Sequence, residues 1–325
     1  MSQMETIDKI IVKIERHIPE LEAERKRLNK RSARVKVIGF VFLLFILPLL
    51  AYLLGGKSIP FFAFMGLIIG VGIFFMAKEG FDLFKDRFKR RIINTIVKEF
   101  NPNLNYTPGG HIKKSEYFQS KLFNKNPDIY KGEDYLSGRL NTTDFKMSEL
   151  HTMYEVKNKN GKTKHTIFQG LFMVADFHKY FHSETYILPE TMWQSIGLHK
   201  KKHEGADLIR MENEAFERKF RVFSTSDQDA RYILSPSMME RILELQTKYG
   251  NEISLSFRGT NVYIALSTNL NFFEHNMSKP VNEKTLIHGH LEDLKEMLAT
   301  IDELNLNTRI WSKMPGRISS DKEGI

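Results

Sequence analysis

The chain has 325 residues, with 48 Lys and Arg against 39 Asp and Glu, a formal net charge of +9. It has no cysteine, which excludes disulfides, thiolate metal sites and cysteine nucleophiles. Residues 1–100 hold 18 basic against 10 acidic side chains and residues 101–325 hold 30 against 29, so the excess lies in the first third, which argues against nucleic acid as a partner.

Residues 1–36 read as a basic amphipathic helical segment. Met4, Ile7, Ile11, Ile14, Ile18, Leu21 and Leu28 recur at spacings of three and four, interrupted where Arg25 takes a seam position. Pro19 either kinks this segment or opens a second helix. The apolar stripe over residues 4–28 suits a coiled-coil contact with a partner or a second copy. It equally suits packing on the chain's own helix after residue 77.

Residues 37–77 organise the chain. The runs 37–54 and 59–77 carry no charged residue and are joined only by Gly55-Gly56-Lys57-Ser58. At 1.5 Å rise per residue each spans roughly 30 Å of hydrocarbon, so the expectation is a transmembrane helical hairpin. Both flanks are basic, which places both termini in the cytoplasm of a multi-pass protein of the bacterial inner membrane. The polar lead before the first run is too long for the n-region of a signal peptide. Gly66 and Gly70 form a small-residue pair suited to packing on the first span or to self-association.

The helix is expected to continue through residues 78–100 with Phe81, Phe84, Phe88, Ile92, Ile93, Ile96 and Val97 on one face. Arg31, Arg34 and Lys36 before the spans, with Arg87, Lys89, Arg90 and Arg91 after them, form a belt expected to meet anionic headgroups of the bilayer. Asn101-Pro102-Asn103 breaks the helix and marks a domain boundary.

Residues 101–312 read as one cytosolic α+β domain with an antiparallel sheet and flanking helices, followed by a disordered tail, 313–325. Its near-balanced charge and complete set of elements predict that it folds without the anchor. Strands are expected over 144–156 and 163–177 around Asn160-Gly161, the second apolar almost throughout 167–175 and therefore deep in the sheet. Short strands are predicted at 185–188 and 220–223, a short helix at 115–123, and a clear helix opened by Ser235-Pro236 and closing near Gly250. Alternation at Ile253, Leu255, Phe257 and again at Val262, Ile264, Leu266 predicts a second hairpin turning at Gly259-Thr260-Asn261 with one buried face. Leu291, Leu294, Leu298 and Ile301 mark a last amphipathic helix.

Several of these stretches, GEDYLSG (132–138), SELH (148–151), FQGLFMVADFHKYF (168–181), DARYILSPSMMERIL (229–243), SLSF (254–257), VYIAL (262–266) and LNLNTRIW (304–311), resemble a bacterial family. It is domain of unknown function 3137, over most of residues 100–311. The resemblance implies a membrane segment pair ahead of the domain and brings no activity, cofactor or catalytic residue.

Histidines and carboxylates are the side chains here that could carry chemistry. Asp176, His178 and His182 sit in DFHKYFH, where the i,i+4 histidines would share a helix face, but the preceding strand pattern runs on to Phe177 and makes them polar residues at a strand end and turn. His199 and His203 flank three lysines in what reads as a solvated loop, and His288 and His290 stand only two apart. Glu149 and His151 would share one strand face, where a carboxylate beside an imidazole can do acid–base work. The expectation is therefore a membrane-tethered binding or scaffold module without cofactor or metal. The alternative is a membrane-anchored enzyme using Glu149, His151 and Asp176.

Overall fold

The computed structural model describes residues 10–41, 68, 72, 78–158, 161–191, 202–249, 252–269, 271–281 and 284–304. These form two compact units, residues 1–100 with 273–292 and residues 101–272 with 293–325. That differs from the single block 101–312 expected from the sequence, because residues 273–292 cluster with the N-terminal helices. Among the described residues no helix is long and apolar enough to cross a membrane. The expected spans lie outside the described residues except for 37–41, 68 and 72, and so do Gly66, Gly70, His199 and the tail 313–325.

The first unit is helical. Residues 10–15 form a helix that turns at Arg16-His17, and α1 (Ile18–Val41) begins there. Pro19 thus sits in a first turn, where its missing N–H has no helical acceptor to lose. Helix 78–88 passes through a π-helical segment, Lys89–Ile93, into α2 (Asn94–Phe100). Phe84, Phe88, Ile92, Ile93, Ile96 and Val97 are all buried, as are Ile10, Ile14 and Leu21. Of the apolar stripe of residues 4–28, Ile14 and Leu21 are therefore packed inside the chain, while Ile11, Ile18 and Leu28 are half-buried.

Ion pairs fix how these helices run. Lys13 meets Glu99 at 2.5 Å, Arg91 meets Glu20, and Arg87 meets Glu24 at 2.8 Å. The residue numbers of each pair add to 111 or 112, so the two helices are antiparallel. Gly80 extends the contact, since a Cβ there would lie 3.1 Å from Leu28. Arg25, the break in the heptad pattern, is buried. Its guanidinium forks to Glu22 and donates to the Met277 carbonyl at 2.7 Å, while Glu22 accepts the Val281 N–H at 3.1 Å. A charged group stands in the seam because it ties residues 273–281 to α1.

The second unit is built on an eight-stranded antiparallel sheet: β1 (Asn105–Thr107), β2 (Ile129–Leu140), β3 (Thr143–Asn158), β4 (Gly161–Pro189), β5 (Lys202–His203), β6 (Ala206–Ile209), β7 (Phe220–Ser224) and β8 (Ile253–Ser267). The order is β1-β2-β3-β4-β7-β6-β5, with β8 paired to β4. β3 and β4 form the expected hairpin, pairing Asn158 with Gly161. β4 is far longer than predicted and takes in the separate strand expected at 185–188.

No hairpin forms at Gly259. β8 is one strand that pairs along β4 from Gly170↔Ser267 to Ile187↔Leu255, and both its faces are buried. Gly259, at φ +60°, sits where the register shifts opposite Phe181. That irregularity moves the alternation by one residue, from odd to even numbers, which in the sequence looks like a turn.

One face of the sheet carries Leu150, Phe172, Val174, Tyr186 and Phe223, packed under Tyr117 of α3 (Lys114–Gln119). Tyr117 donates to or accepts from the Thr152 hydroxyl at 3.0 Å, and its ring lies 5.4 Å from Phe172. The alternate set, Met147, Leu171, Met173, Ile187, Val222 and Ile264, is buried as well, so the middle of β4 lies deep as expected. Further helices of this unit are α4 (Glu214–Lys219), α5 (Asp227–Ile233) and α6 (Pro236–Tyr249), while α7 (Lys284–Glu303) is divided between the units at Glu292. The Ser235 hydroxyl caps α6 by accepting the Met238 N–H at 3.4 Å.

Candidate functional site

A cavity of about 540 Å³ opens on the second unit where β2, β3 and β4 lie side by side. Antiparallel register builds its wall. Lys131 stands opposite His151, Glu133 opposite Glu149, and His151 opposite Gln169. Side chains two apart on a strand share a face, so Glu149 and His151 both point into the cavity as their spacing predicts. His111 and Asn271 close the sides. At Gly132 a Cβ would lie 2.6 Å from both the Glu149 carbonyl and His111, so only glycine lets the loop carrying His111 approach.

The acidic end rests on a bulge. The β2–β3 register shifts between Glu133 and Leu136, and Asp134 takes a left-handed φ of +57°. Its N–H donates to the Pro108 carbonyl at 2.7 Å, and its buried carboxylate accepts from the Tyr106 hydroxyl. Burial and the neighbouring Asp134 push the Tyr106 hydroxyl well up, so it stays protonated as a donor. Like charges directly opposite across strands repel, and here Glu133 faces Glu149. Glu149 is steadied by the Phe272 N–H, which donates to its Oε1.

Donor atoms of Glu133, Asp134 and Glu149 lie within 4.8 Å of one another, a spacing at which carboxylates can share a hard cation. Tyr106 and Phe272 already engage two of the three, so the geometry by itself assigns no metal. His151 lies at 3.3 Å from the Thr166 hydroxyl, and His111 stacks obliquely on Tyr130 with ring centroids 5.6 Å apart. The arrangement offers imidazoles, an ammonium, amides and carboxylates to one space, which suits a polar, mixed-charge occupant.

Asp176 does not join this site. It pairs in register with Asn261 seven residues along β4 from Gln169, about 23 Å away at strand rise. The helical reading of Asp176, His178 and His182 fails because all three lie in β4. His203 is not in a solvated loop: it is buried and bonds the Lys121 carbonyl at 2.8 Å, and burial lowers its pKa. Sequence reasoning passed over Lys131, Glu133, Asp134, Gln169 and His111. The Glu133-Asp134 pair lies beside Gly132 in the GEDYLSG stretch, but only strand register sets it opposite Glu149.

The basic belt is also redistributed. Lys89, expected at the membrane surface, is buried and pairs with Glu274 at 3.1 Å. Arg87 and Arg91 bind Glu24 and Glu20 on the facing helix, and Arg90 binds Asp86 at 2.8 Å. Arg31, Arg34 and Lys36 are exposed.

Residues 166–306 match the family model described as protein of unknown function (DUF3137). The DUF3137 span runs from within β4 past the end of α7, and leaves the 132–138 and 148–151 stretches outside it. The chain thus resembles this family over a shorter length than the sequence reading gave. A search of curated proteins finds no match. Among solved structures, a crystal structure of the mycobacterial trehalose monomycolate transport factor A, TtfA, is similar at a TM-score of 0.33 and 9% identity, covering 66% of this chain and 96% of that chain. That similarity is too slight to assign a fold or a role.

Proposed function

We propose that the chain is a membrane-tethered binding module, anchored by a helical hairpin at 37–54 and 59–77 and taking a polar ligand in the cavity between β2 and β4. The observation that carries the tether is the antiparallel stalk. Its register puts Lys78 level with residues 30–33 of α1, about 6–10 Å along the helix from Val37, so the first charge-free run starts and the second ends at the same end of the stalk. At that end Val37, Ile38 and Phe40 are 62–64% exposed, as residues entering hydrocarbon would be. This supports both termini on one side of the membrane, the cytoplasmic side by the positive-inside rule.

Because the chain lacks cysteine, the test is direct. Cysteine placed at Ser58 should react with an impermeant reagent in intact cells, and cysteine at Ser120 should not. Labelling at Ser120, or release of the chain by alkaline carbonate, would overturn the reading.

A second reading, an enzyme, is favoured by one observation: Glu149 and His151 line the same cavity. About 6.7 Å separates their backbones along the strand, and one Glu149 oxygen is held by Phe272. Turnover of any substrate abolished by both Glu149→Gln and His151→Asn, with the fold intact, would favour the enzyme over the module.

A further inference from the structure

We infer that the surface contacting anionic lipid headgroups is a stripe of cations on α1, Arg27, Lys30, Arg31 and Arg34 with Lys36, and not Lys85, Arg87, Lys89, Arg90 and Arg91 of the facing helix. This rests on the membrane tether proposed above and assigns its lipid contact.

The two halves of the basic belt are chemically different. In helix 78–100, Lys85 and Lys89 share Glu274, Arg87 and Arg91 take Glu24 and Glu20, and Arg90 takes Asp86. Each of these charges is neutralised locally, and one of them is buried. On α1 the order is reversed. Its carboxylates, Glu20, Glu22 and Glu24, all lie in the first two turns and are taken by Arg91, by Arg25 with Lys26, and by Arg87. From Arg25 to Val41 the helix has no acidic residue.

Arg27, Lys30, Arg31, Arg34 and Lys36 are exposed, and none has a carboxylate partner among the described residues. Spacings of three and four put the first four on one side of the helix. The stripe therefore keeps its whole charge for something outside the chain.

Its place on the helix identifies that partner. The stripe ends one turn before Val37, Ile38 and Phe40, whose exposure marks the start of the apolar run. Headgroups occupy roughly 6 Å on each side of the hydrocarbon. At 1.5 Å per residue, Arg34 stands about 4 Å from Val37, Lys30 and Arg31 about 10 Å, and Arg27 about 15 Å. With a Debye length of about 8 Å, attraction to phosphate-bearing lipid falls off along the stripe from Arg34 to Arg27. An unpaired cation row running into exposed apolar residues is the arrangement an anionic bilayer surface selects.

The test is lipid retention by the full chain, extracted in mild detergent from vesicles of mixed phosphatidylcholine and phosphatidylglycerol. Wild type should retain phosphatidylglycerol preferentially. Arg27→Gln, Lys30→Gln, Arg31→Gln and Arg34→Gln together should lower that preference several-fold. Arg90→Gln should leave it unchanged. Arg34→Gln alone should lower it more than Arg27→Gln alone, a comparison unaffected by any loss of folding in the quadruple variant. An unchanged ratio in the quadruple variant, an equal loss with Arg90→Gln, or the reverse order of the two single variants would overturn the assignment. Failure of the tether itself reads differently, because carbonate would then release wild type whatever its lipid ratio.

Discussion

Lys89 and Glu274, far apart in the sequence, form a 3.1 Å ion pair in which the lysine side chain is only 5% exposed. Glu274 also holds Lys85 at 2.7 Å. Burial alone would raise the Glu274 carboxyl, but the two ammonium groups outweigh it and hold it below the ordinary carboxylate range. The pair sits at the π-helical segment, which turns Lys89 inward together with Ile92 and Ile93.

Removing one partner should therefore cost more on one side than on the other. Glu274→Gln leaves Lys89 buried without this counter-charge and should destabilise the helical unit by about 3 kcal/mol. Lys89→Met leaves Glu274 with Lys85 and should cost about 1 kcal/mol. Denaturant unfolding of the full chain in detergent measures both, and equal costs would mean that burial of Lys89 does not matter.

His275 should make the same unit sensitive to acid. It is buried, stacked on Phe88 at 4.8 Å and close to Phe84, with His290, Arg25 and Glu22 facing it. Burial, helped by His290 and Arg25, lowers its pKa to about 4. The unfolded chain, with histidine near 6.5, binds the proton first as pH falls, so stability is full above about 6.5 and drops toward pH 4. At about 1.4 kcal/mol per unit, the loss over that window is about 3 kcal/mol. Glu22, held down to about 2 by Arg25, adds its own loss only below about pH 4.5. Amide exchange protection across residues 84–97, corrected for intrinsic rates, should fall between pH 6.5 and 4.5. His275→Leu should flatten that fall, and an unchanged slope would exclude His275 as its source.

Gly170 should tolerate no side chain. Its φ is +147°, and a Cβ would lie 2.1 Å from the Leu266 carbonyl oxygen and 2.7 Å from the Thr268 nitrogen. Neither backbone atom can move without opening the β4–β8 ladder beside the cavity. Gly170→Ala should destabilise by about 3 kcal/mol or more, whereas Gly109→Ala, with nothing within 4 Å, should stay within about 0.5 kcal/mol. Thermal unfolding of the two variants compares them, and similar midpoints would contradict the packing described.

The fragment 101–325, expected from its charge balance to fold alone, should instead associate. It retains residues 273–292 without the helices they cluster with, leaving Phe273, Val281, Ile287 and Leu291 without their unit. Light scattering should show oligomers, and a fragment that also lacks 273–292 through a short linker should scatter less. A monodisperse fragment 101–325 would show that the segment finds cover elsewhere.

Local pattern was enough for much of the fold. Period-two alternation placed β3 and most of β4, Ser235-Pro236 placed the start of α6, and the 3.6-residue recurrence placed α7, because each signal is carried by neighbours in sequence. The two charge-free runs and the identity of Glu149 and His151 as one-face partners are likewise local facts. Tertiary structure decided what needed distant partners. β8 is one strand and not a hairpin because β4 is long enough to pair with all of it, and a single irregularity at Gly259 absorbs the change of phase. Glu133 faces Glu149 because a hairpin register brings β2 against β3, and Asp134 turns in because Pro108 and Tyr106 hold the bulge. The same holds for charge: a count of basic residues cannot separate Arg34 from Lys89. Only the packing of helix 78–100 against carboxylates on α1 and at Glu274 leaves one set neutralised and the other open to the solvent.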